Sequence, residues 1–522
     1  MKRILLVGLL ILPFLPVLAA TEDEPSGEFV PSYGGKTQPA TEAVSIAAGP
    51  QLFVDDYLVA FSENLSCAVR TPKRVTRCPI LGWEEGTTQP YVTVVRDPET
   101  KKFRLWYNRG IGKDCAVAYA ESEDGLHWET PSLGIMGDDN RLFPISYPHQ
   151  NGYGVSVIDE GPGFPDKERR FKLAWWGQEK PWTEETKDGG GDPGMRVAFS
   201  PDGLHWTPYE GNPVLPCYGE PWFVGDRRRP YGAGDIIDVF WDPLRKHYGA
   251  FVKTPAVLSD GLVPGPKAKD YIRRLVSASA SDDFVHWERP WRVAIPEPQD
   301  EGLLEFYSVG GTICRGGLLV GFVRMLHDDY PAEPKGPVEG IGYTTLATSR
   351  DGIHWERHDK VFFDRNQKPG TWDRAMTWVG CALPVEDELF LYYGGYKQGH
   401  KIEPTRERQL GLARMPMDRF VSRDGGNIPG RLVTVPLEGV EDAAKRLVLN
   451  ANASQGEIRV RALDADRNPF PGLDFTDTVP VHGDGLRLAV EGFDLTRTGG
   501  KPFRLEFEIR NASLFGFDFL QR

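Results

Sequence analysis

The chain has 522 residues, with 61 Lys and Arg against 74 Asp and Glu and a formal net charge of −13 at pH 7. That acidity argues against nucleic acid or an anionic membrane surface as partner, because both recruit proteins through basic patches. Six cysteines over this length do not make a disulfide scaffold.

Residues 1–20 read as a secretory signal: Lys2-Arg3, an apolar stretch from Ile4 to Leu18, and Ala19-Ala20 at a cleavage site. The stretch is too short for a membrane span, and no later one approaches the roughly 20 apolar residues a span needs. The mature protein is therefore expected to be exported, secreted or periplasmic. Residues 21–50, rich in Pro, Gly, Glu and Thr, read as a flexible leader. Cys67 and Cys78 are the only close cysteine pair and the only candidates for a bridge.

From residue 51 to 428 the chain repeats one phrase four times: Ser122-Glu-Asp-Gly-Leu-His-Trp128, Ser200-Pro-Asp-Gly-Leu-His-Trp206, Ser281-Asp-Asp-Phe-Val-His-Trp287 and Ser349-Arg-Asp-Gly-Ile-His-Trp355. A spacing of roughly 70 to 80 residues is too long for a helical solenoid unit and suits a four-stranded blade. Alternating runs such as Val117-Ala-Tyr-Ala-Glu precede the phrase, Asp-Gly supplies a tight turn, and the Trp is placed to pack between blades. His127, His205, His286 and His354 recur with that turn, so their role is read as structural.

Upstream of each phrase lies an inner hairpin: Tyr91–Pro98 with Phe103–Tyr107, Val155–Ile158 with Phe171–Trp175, and Ile237–Pro243 with Tyr248–Val252. Two more follow, Tyr307–Gly311 with Leu318–Phe322 and Trp378–Ala382 with Leu389–Tyr393. Five inner hairpins and four phrases leave one blade short of an outer strand. After the fifth hairpin comes Leu410-Gly-Leu-Ala-Arg-Met, and then the phrase is lost. The segment Leu65–Leu81, with its Cys78-Pro-Ile-Leu, parallels Asn212-Pro-Val-Leu after the second phrase. It is expected to complete blade five and close the ring.

Past Gly425-Gly-Asn-Ile-Pro-Gly430 the pattern changes to short alternating strands, so residues 429–522 read as a β-sandwich. The fold class expected is all-β, a five-bladed β-propeller followed by a C-terminal β-sandwich.

In a propeller the first strand of each blade lines a central funnel, so side chains at the five strand starts converge. These are Glu84, Glu85 and Gln89 at blade one, Asn151 and Tyr153 at blade two, Asp235 and Asp238 at blade three, Glu305 and Tyr307 at blade four, and Asp373 and Arg374 at blade five. Carboxylates from several blades facing one pocket are what glycoside hydrolysis requires, one protonated and one ionised. Trp176 and Trp222, with Trp83, Trp182, Trp372 and Trp378, fall where flat rings stack on sugar faces, and His400 reaches toward the funnel from blade five. Arg227-Arg-Arg229, Arg273-Arg274 and Arg374 are candidates to hold an acidic sugar or to form surface salt bridges. His149, His247, His327, His358 and His400 show no zinc spacing, and no Gly-x-Ser-x-Gly elbow is present; neither metal nor cofactor is expected. Arg96-Asp97-Pro98 sits at an inner hairpin turn and recurs as Trp241-Asp242-Pro243, so it reads as a repeated turn.

The phrase, the blade count and the C-terminal sandwich together resemble the five-bladed propeller glycosidases, the superfamily containing glycoside hydrolase families 32 and 43, over residues 52–522. The resemblance is strongest to exported family-32-like proteins of polysaccharide-degrading bacteria. It implies an Asp base or nucleophile from blade one, a second Asp that stabilises the transition state, and a Glu acid. Carried over by position, Asp235 is the stabilising or orienting carboxylate and Glu305 the general acid. The chain departs from the family at blade one, where no Asn-Asp-Pro-Asn-Gly type motif is present; Glu84 or Glu85, or Asp55-Asp56, stands in for the base. The function expected is an exported glycoside hydrolase acting on a carbohydrate substrate. The alternatives are a non-catalytic glycan-binding propeller, or a lyase or phosphorylase on the same scaffold. An approach of Asp235 to Glu305 at roughly 5 to 9.5 Å would suit hydrolysis, whereas salt-bridged carboxylates would favour binding.

Overall fold

The structure is a computed structural model that describes residues 37–76, 78–82, 88–110, 115–145, 152–179, 192–217, 223–224, 227–228, 233–256, 273–294, 296–297, 300, 304–400, 408–440 and 445–521. Residues 73–416 carry five mainly antiparallel blades of the kind the repeats predict, the fourth and fifth joined into one sheet. Blade one orders Thr88–Arg96, Phe103–Arg109, Ala116–Ser122 and Arg141–Pro144 from inside out; blade two follows with Tyr153–Asp159, Phe171–Gly177 and Gly194–Ser200, its edge made by Thr207–Pro208 and Leu215–Pro216. Blade three is Ile237–Asp242, His247–Ala256, Arg273–Ser281 and Trp291–Ala294, and blade four is Leu304–Arg315, Leu318–His327, Ile341–Ser349 and Glu356–Phe363. Blade five is Met376–Val385, Glu388–Tyr396 and Arg408–Pro416, with Lys73–Arg74 as its edge. Each inner strand packs on the next and the fifth packs on the first, which closes a ring of five.

The repeated phrase is a polar turn with the same hydrogen bonds each time. The Ser hydroxyl accepts from the amide three residues on, at 2.7 to 2.9 Å. One Asp oxygen accepts from two following amides, and the other lies 2.6 to 2.7 Å from the His Nδ1. Satisfying three amides locally is what lets the chain reverse without a ladder partner. The histidines are exposed and serve the turn, as expected. The residue after the Asp has a left-handed backbone, φ +73° at Gly125, +78° at Gly203, +65° at Gly352 and, without the freedom of glycine, +72° at Phe284.

These turns key the blades together. Trp106 of blade one donates its indole N–H to Gly203 O of blade two at 2.7 Å, and Trp355 of blade four packs edge-on against Phe251 of blade three at 5.0 Å. Among the four phrase tryptophans only Trp355 is fully buried; Trp128, Trp206 and Trp287 are half-buried, so the turn backbone carries much of the inter-blade contact. The inner hairpin turns repeat as well. Asp97 accepts from the amides of Glu99 and Thr100, Asp242 from those of Leu244 and Arg245, and Lys101 and Lys246 take left-handed backbones at φ +64° and +57°.

The N-terminal segment closes blade five: Lys73 and Arg74 pair with Arg414 and Ala413, and Leu81 bridges to Leu410. The likeness of this segment to the one after the second phrase extends to the backbone, since Cys78-Pro79 and Asn212-Pro213 are both cis. The upstream part of this segment goes elsewhere. Leu65–Val69 pairs with Val421–Gly425, Val59–Glu63 with Gly430–Thr434, and Gln51–Leu52 with Ala512–Gln521. Both ends of the chain therefore build the C-terminal sheet system, which cuts across the linear division at residue 428. Cys67 lies exposed on a sandwich strand while the Cys78 thiol reaches Leu412 O in blade five, so no disulfide joins them.

In the sandwich, Lys445–Leu463 pairs through its first half with Ala512–Gln521 and through its second with Arg504–Arg510. It thus passes from one layer to the other around a core of Phe53, Leu432, Leu449, Val460, Phe507 and Phe517. Asp55, a candidate base by sequence, is buried at the junction with the propeller, paired with Arg350 at 2.8 Å, and Asp56 pairs with Arg423 at 2.8 Å. Neither serves the funnel: Asp55 ties this region to Arg350 in the blade-four turn, and Asp56 is held by Arg423 on a strand of the sandwich.

Candidate functional site

The starts of the inner strands meet around an aromatic cluster of Tyr91, Tyr307, Trp378 and Tyr396, with Tyr153 at its edge. Tyr307 stacks on the buried Trp378 with ring centroids 4.6 Å apart. Two cations from adjacent strands of blade three stand over the Tyr307 ring, Lys253 at 4.6 Å and Arg274 at 5.5 Å from its centroid. An aromatic face holds a desolvated cation through its quadrupole.

Each cation is paired with one of the two leading carboxylates. Asp235, just before the blade-three inner strand, is in ion contact with Lys253 and keeps its side chain 36% exposed. Glu305 is fully buried; it accepts the Arg274 amide at 3.1 Å and is in ion contact with the Arg274 guanidinium, which also meets Asp328 at 3.2 Å. Burial pulls Lys253 below its ordinary value, opposed by Asp235 and reinforced by Arg274. Burial also pushes the Tyr307 phenol well above its ordinary value; Arg274 opposes this, and Asp235, Tyr396 and Glu305 add to it. Both carboxylates thus act on the same phenol from different blades.

His400 completes the cluster from blade five. Its Nε2 lies 2.6 Å from the Tyr307 hydroxyl and its Nδ1 lies 3.9 Å from Asp328. Burial, with Arg274 beside it, holds His400 well below the usual imidazole range, so the ring is neutral at pH 7. Arg408 fastens this corner by donating to His400 O at 3.1 Å and to the Gln89 side-chain oxygen at 2.9 Å. Gln89 is buried in that contact. Tyr153 stacks on Trp176 at 6.0 Å, and the Trp176 indole donates to Ala233 O at 3.1 Å, leaving both rings half-buried at the rim.

Three expected site residues turn inward to structural partners. Asp238 is buried against Arg324, with contacts of 2.8 and 3.0 Å, and accepts from Ser308; Arg324 also donates to Val379 O, so this set ties blades three, four and five. Burial pushes the Asp238 carboxyl up, opposed by Arg324. Further along the inner strands Asp238 lines a cavity of about 210 Å³ with Thr93, Ser156 and Thr312. Asp373 is buried against Arg74 at 2.7 Å and accepts from the Tyr393 hydroxyl at 3.2 Å, which belongs to the closure of blade five. Arg374 pairs with Glu333 at 2.9 Å with its side chain nearly covered. Each of these three charges is already matched by a structural partner. Trp372 and Trp378 pack against Tyr393 and Tyr307. Glu84, Glu85 and Trp222, together with Trp83, Asn151 and Trp182, lie outside the described residues.

Lys253, Asp328 and Arg408 are the parts of this cluster that the sequence does not single out. Lys253 sits on a second strand, and its place follows only from the hairpin register that sets Ile237 opposite Val252. Asp328 directly follows the second strand of blade four, where no repeat marks it.

No protein-family model matches the chain, and no curated protein matches it. Solved structures similar to it include a glycosyl hydrolase from Bacteroides ovatus at 14% identity and TM-score 0.40, covering 67% of this chain and 95% of that one. Another is an N-acetylgalactosamine deacetylase from F. plautii in complex with blood group B trisaccharide, at 16% identity and TM-score 0.40, covering 69% and 96%. A third comes from work on the GH130 family of mannoside phosphorylases and its glycoside hydrolases targeting β-1,2 mannosidic linkages in Candida mannan, at 13% identity and TM-score 0.38, covering 73% and 97%. Likeness of this degree says nothing about chemistry.

Proposed function

We propose that the chain is an exported carbohydrate-active enzyme that cleaves glycosidic bonds in a saccharide held at the mouth of the funnel. The observation that carries this reading is the convergence around Tyr307 of Asp235 and Lys253 from blade three, Glu305 from blade four and His400 from blade five, with Asp328 against Arg274 and His400. Charged and hydrogen-bonding groups set among aromatic rings suit a sugar, whose hydroxyls need polar partners and whose ring faces need flat apolar ones. Hydrolysis on this site assigns Asp235, solvent-facing and in ion contact with Lys253, as the charged carboxylate and Glu305 as the acid. Glu305 delivers a proton only once Arg274 has released it, because a guanidinium contact stabilises the ionised form.

The test is sugar release from a broad panel of oligo- and polysaccharides by the mature protein, beside Asp235→Asn and Glu305→Gln. Release by the wild type, lost in both variants with folding intact, supports the glycoside hydrolase. The ion pairing of both carboxylates favours a second reading, a propeller that binds glycan without cutting it. Retention of glycan by all three proteins with no release from any would select that reading. Export rests on the signal-like residues 1–20; an N-terminus of the secreted protein near residue 21 is the result that supports it.

A further inference from the structure

We propose that Tyr307 and His400 are an acid–base couple for β-elimination, and that the saccharide taken at the funnel mouth contains a uronic acid. This rests on the reading of the mouth as a saccharide-cleaving site and names the chemistry of the cleavage. Elimination next to a carboxylate needs a cation to stabilise charge as the proton α to the carboxylate leaves, a neutral base to take that proton, and an acid to protonate the departing oxygen. All three stand together here. The Tyr307 hydroxyl and His400 Nε2 are 2.6 Å apart, and Lys253 and Arg274 stand over the same phenol ring. His400 is neutral and Tyr307 is protonated, the resting states the reaction requires. The tautomer with its proton on Nδ1, 3.9 Å from Asp328, is the one whose Nε2 lone pair faces the Tyr307 hydroxyl.

The step balances without water or any other co-reactant. Tyr307 turns its proton from His400 to the leaving oxygen at C4, and the C4–O bond breaks with its electron pair on oxygen. His400 Nε2, now open, takes the C5 proton, and the C5–H electrons form the C4=C5 double bond. The proton on His400 then returns to the Tyr307 phenolate across their hydrogen bond, which restores the couple. Glu305 keeps its pairing with Arg274 throughout, so the contact that obstructs a carboxylate acid is no obstacle to this route.

The mature protein is incubated with polygalacturonate, alginate, glucuronan and chondroitin, and with xylan and mannan backbones lacking uronic acid as neutral controls. Ultraviolet absorbance of the conjugated alkene and new reducing ends are followed separately. The expected result is alkene formation from at least one uronate polymer, falling about 100-fold or more in both Tyr307→Phe and His400→Gln while thermal unfolding stays near that of the wild type. Reducing ends without alkene would overturn elimination and leave the cleavage reading standing. Alkene formed undiminished by both variants would remove the couple from the chemistry, and no cleavage of any polymer would sink both readings.

Discussion

Tyr392, on the second strand of blade five, donates its hydroxyl to the carbonyl of Gly125 in the blade-one turn at 3.0 Å. The last blade of the ring is thereby fastened to the first by the same side-chain-to-turn contact that Trp106 makes to Gly203. This bond and the edge strand Lys73–Arg74 add to the packing of the fifth inner strand on the first that closes the ring.

At the Tyr392–Gly125 contact, Gly125→Ala is expected to destabilise more than Tyr392→Phe. A Cβ at Gly125 would lie 2.6 Å from the Tyr392 oxygen on a backbone at φ +73°. The left-handed conformation alone costs a non-glycine residue about 1–2 kcal/mol, and the buried tyrosine must move as well. Phenylalanine loses one hydrogen bond and leaves one carbonyl unsatisfied, about 1–3 kcal/mol. Urea midpoints at unchanged slope compare them; equal midpoints would show that the turn has room to adjust.

Arg74→Met should lower the unfolding free energy by about 3–5 kcal/mol, the usual result of leaving a buried carboxylate without its partner. Asp373 is buried, and the Arg74 guanidinium also lies 4.4 Å over the Phe363 ring. Adding Asp373→Asn removes the orphaned charge and should recover a measurable part of the loss. A double variant no more stable than Arg74→Met would place the loss in packing instead of charge.

Phe284→Gly opposes two effects. Glycine relieves the left-handed strain, worth about 1–2 kcal/mol, and deletes a fully buried ring packed on Tyr248 at 5.2 Å and Trp287 at 5.6 Å, worth about 3–5 kcal/mol. The cavity wins, and a net loss of about 1–4 kcal/mol is expected by denaturant unfolding. A more stable variant would mean that the third turn gains nothing from its phenylalanine.

The phrase carboxylates make the propeller sensitive to acid. Burial pushes Asp202 and Asp283 up, but the backbone and ring of His205 and of His286 outweigh it and hold both carboxyls at about 2. A carboxyl lowered in the folded state adds stability above its unfolded value, about 3.9, and that stability is lost as pH falls through the folded value. Unfolding temperatures should therefore decline from about pH 4 toward about pH 2, and Asp202→Asn with Asp283→Asn should flatten part of that decline. An identical slope in the double variant would assign the acid sensitivity to other groups.

Much of the architecture was legible because it repeats. The four turns share one set of local hydrogen bonds, the five inner hairpins share one alternation, and the likeness of Cys78-Pro79 to Asn212-Pro213 marked the segment that closes blade five. The strands at Gln51–Leu52, Val59–Glu63 and Leu65–Val69 were not legible as sandwich strands. Their partners lie more than 350 residues away, and nothing local distinguishes one antiparallel neighbour from another.

At the site, position along each strand was readable and electrostatic state was not. Period-two alternation and the blade repeat put Asp235, Glu305, Tyr307 and, less directly, His400 near one end of the ring, since a short-range pattern decides where each inner strand begins. Whether a carboxylate there is solvent-facing, paired or buried depends on side chains from neighbouring strands and blades. Lys253 claims Asp235 and Arg274 claims Glu305, whereas Asp238, three residues beyond Asp235, is claimed by Arg324 from the next blade. Turns and strand rhythm are local, and the sequence by itself determined them. Ion pairing falls off with distance through space, and only the folded ring sets those distances.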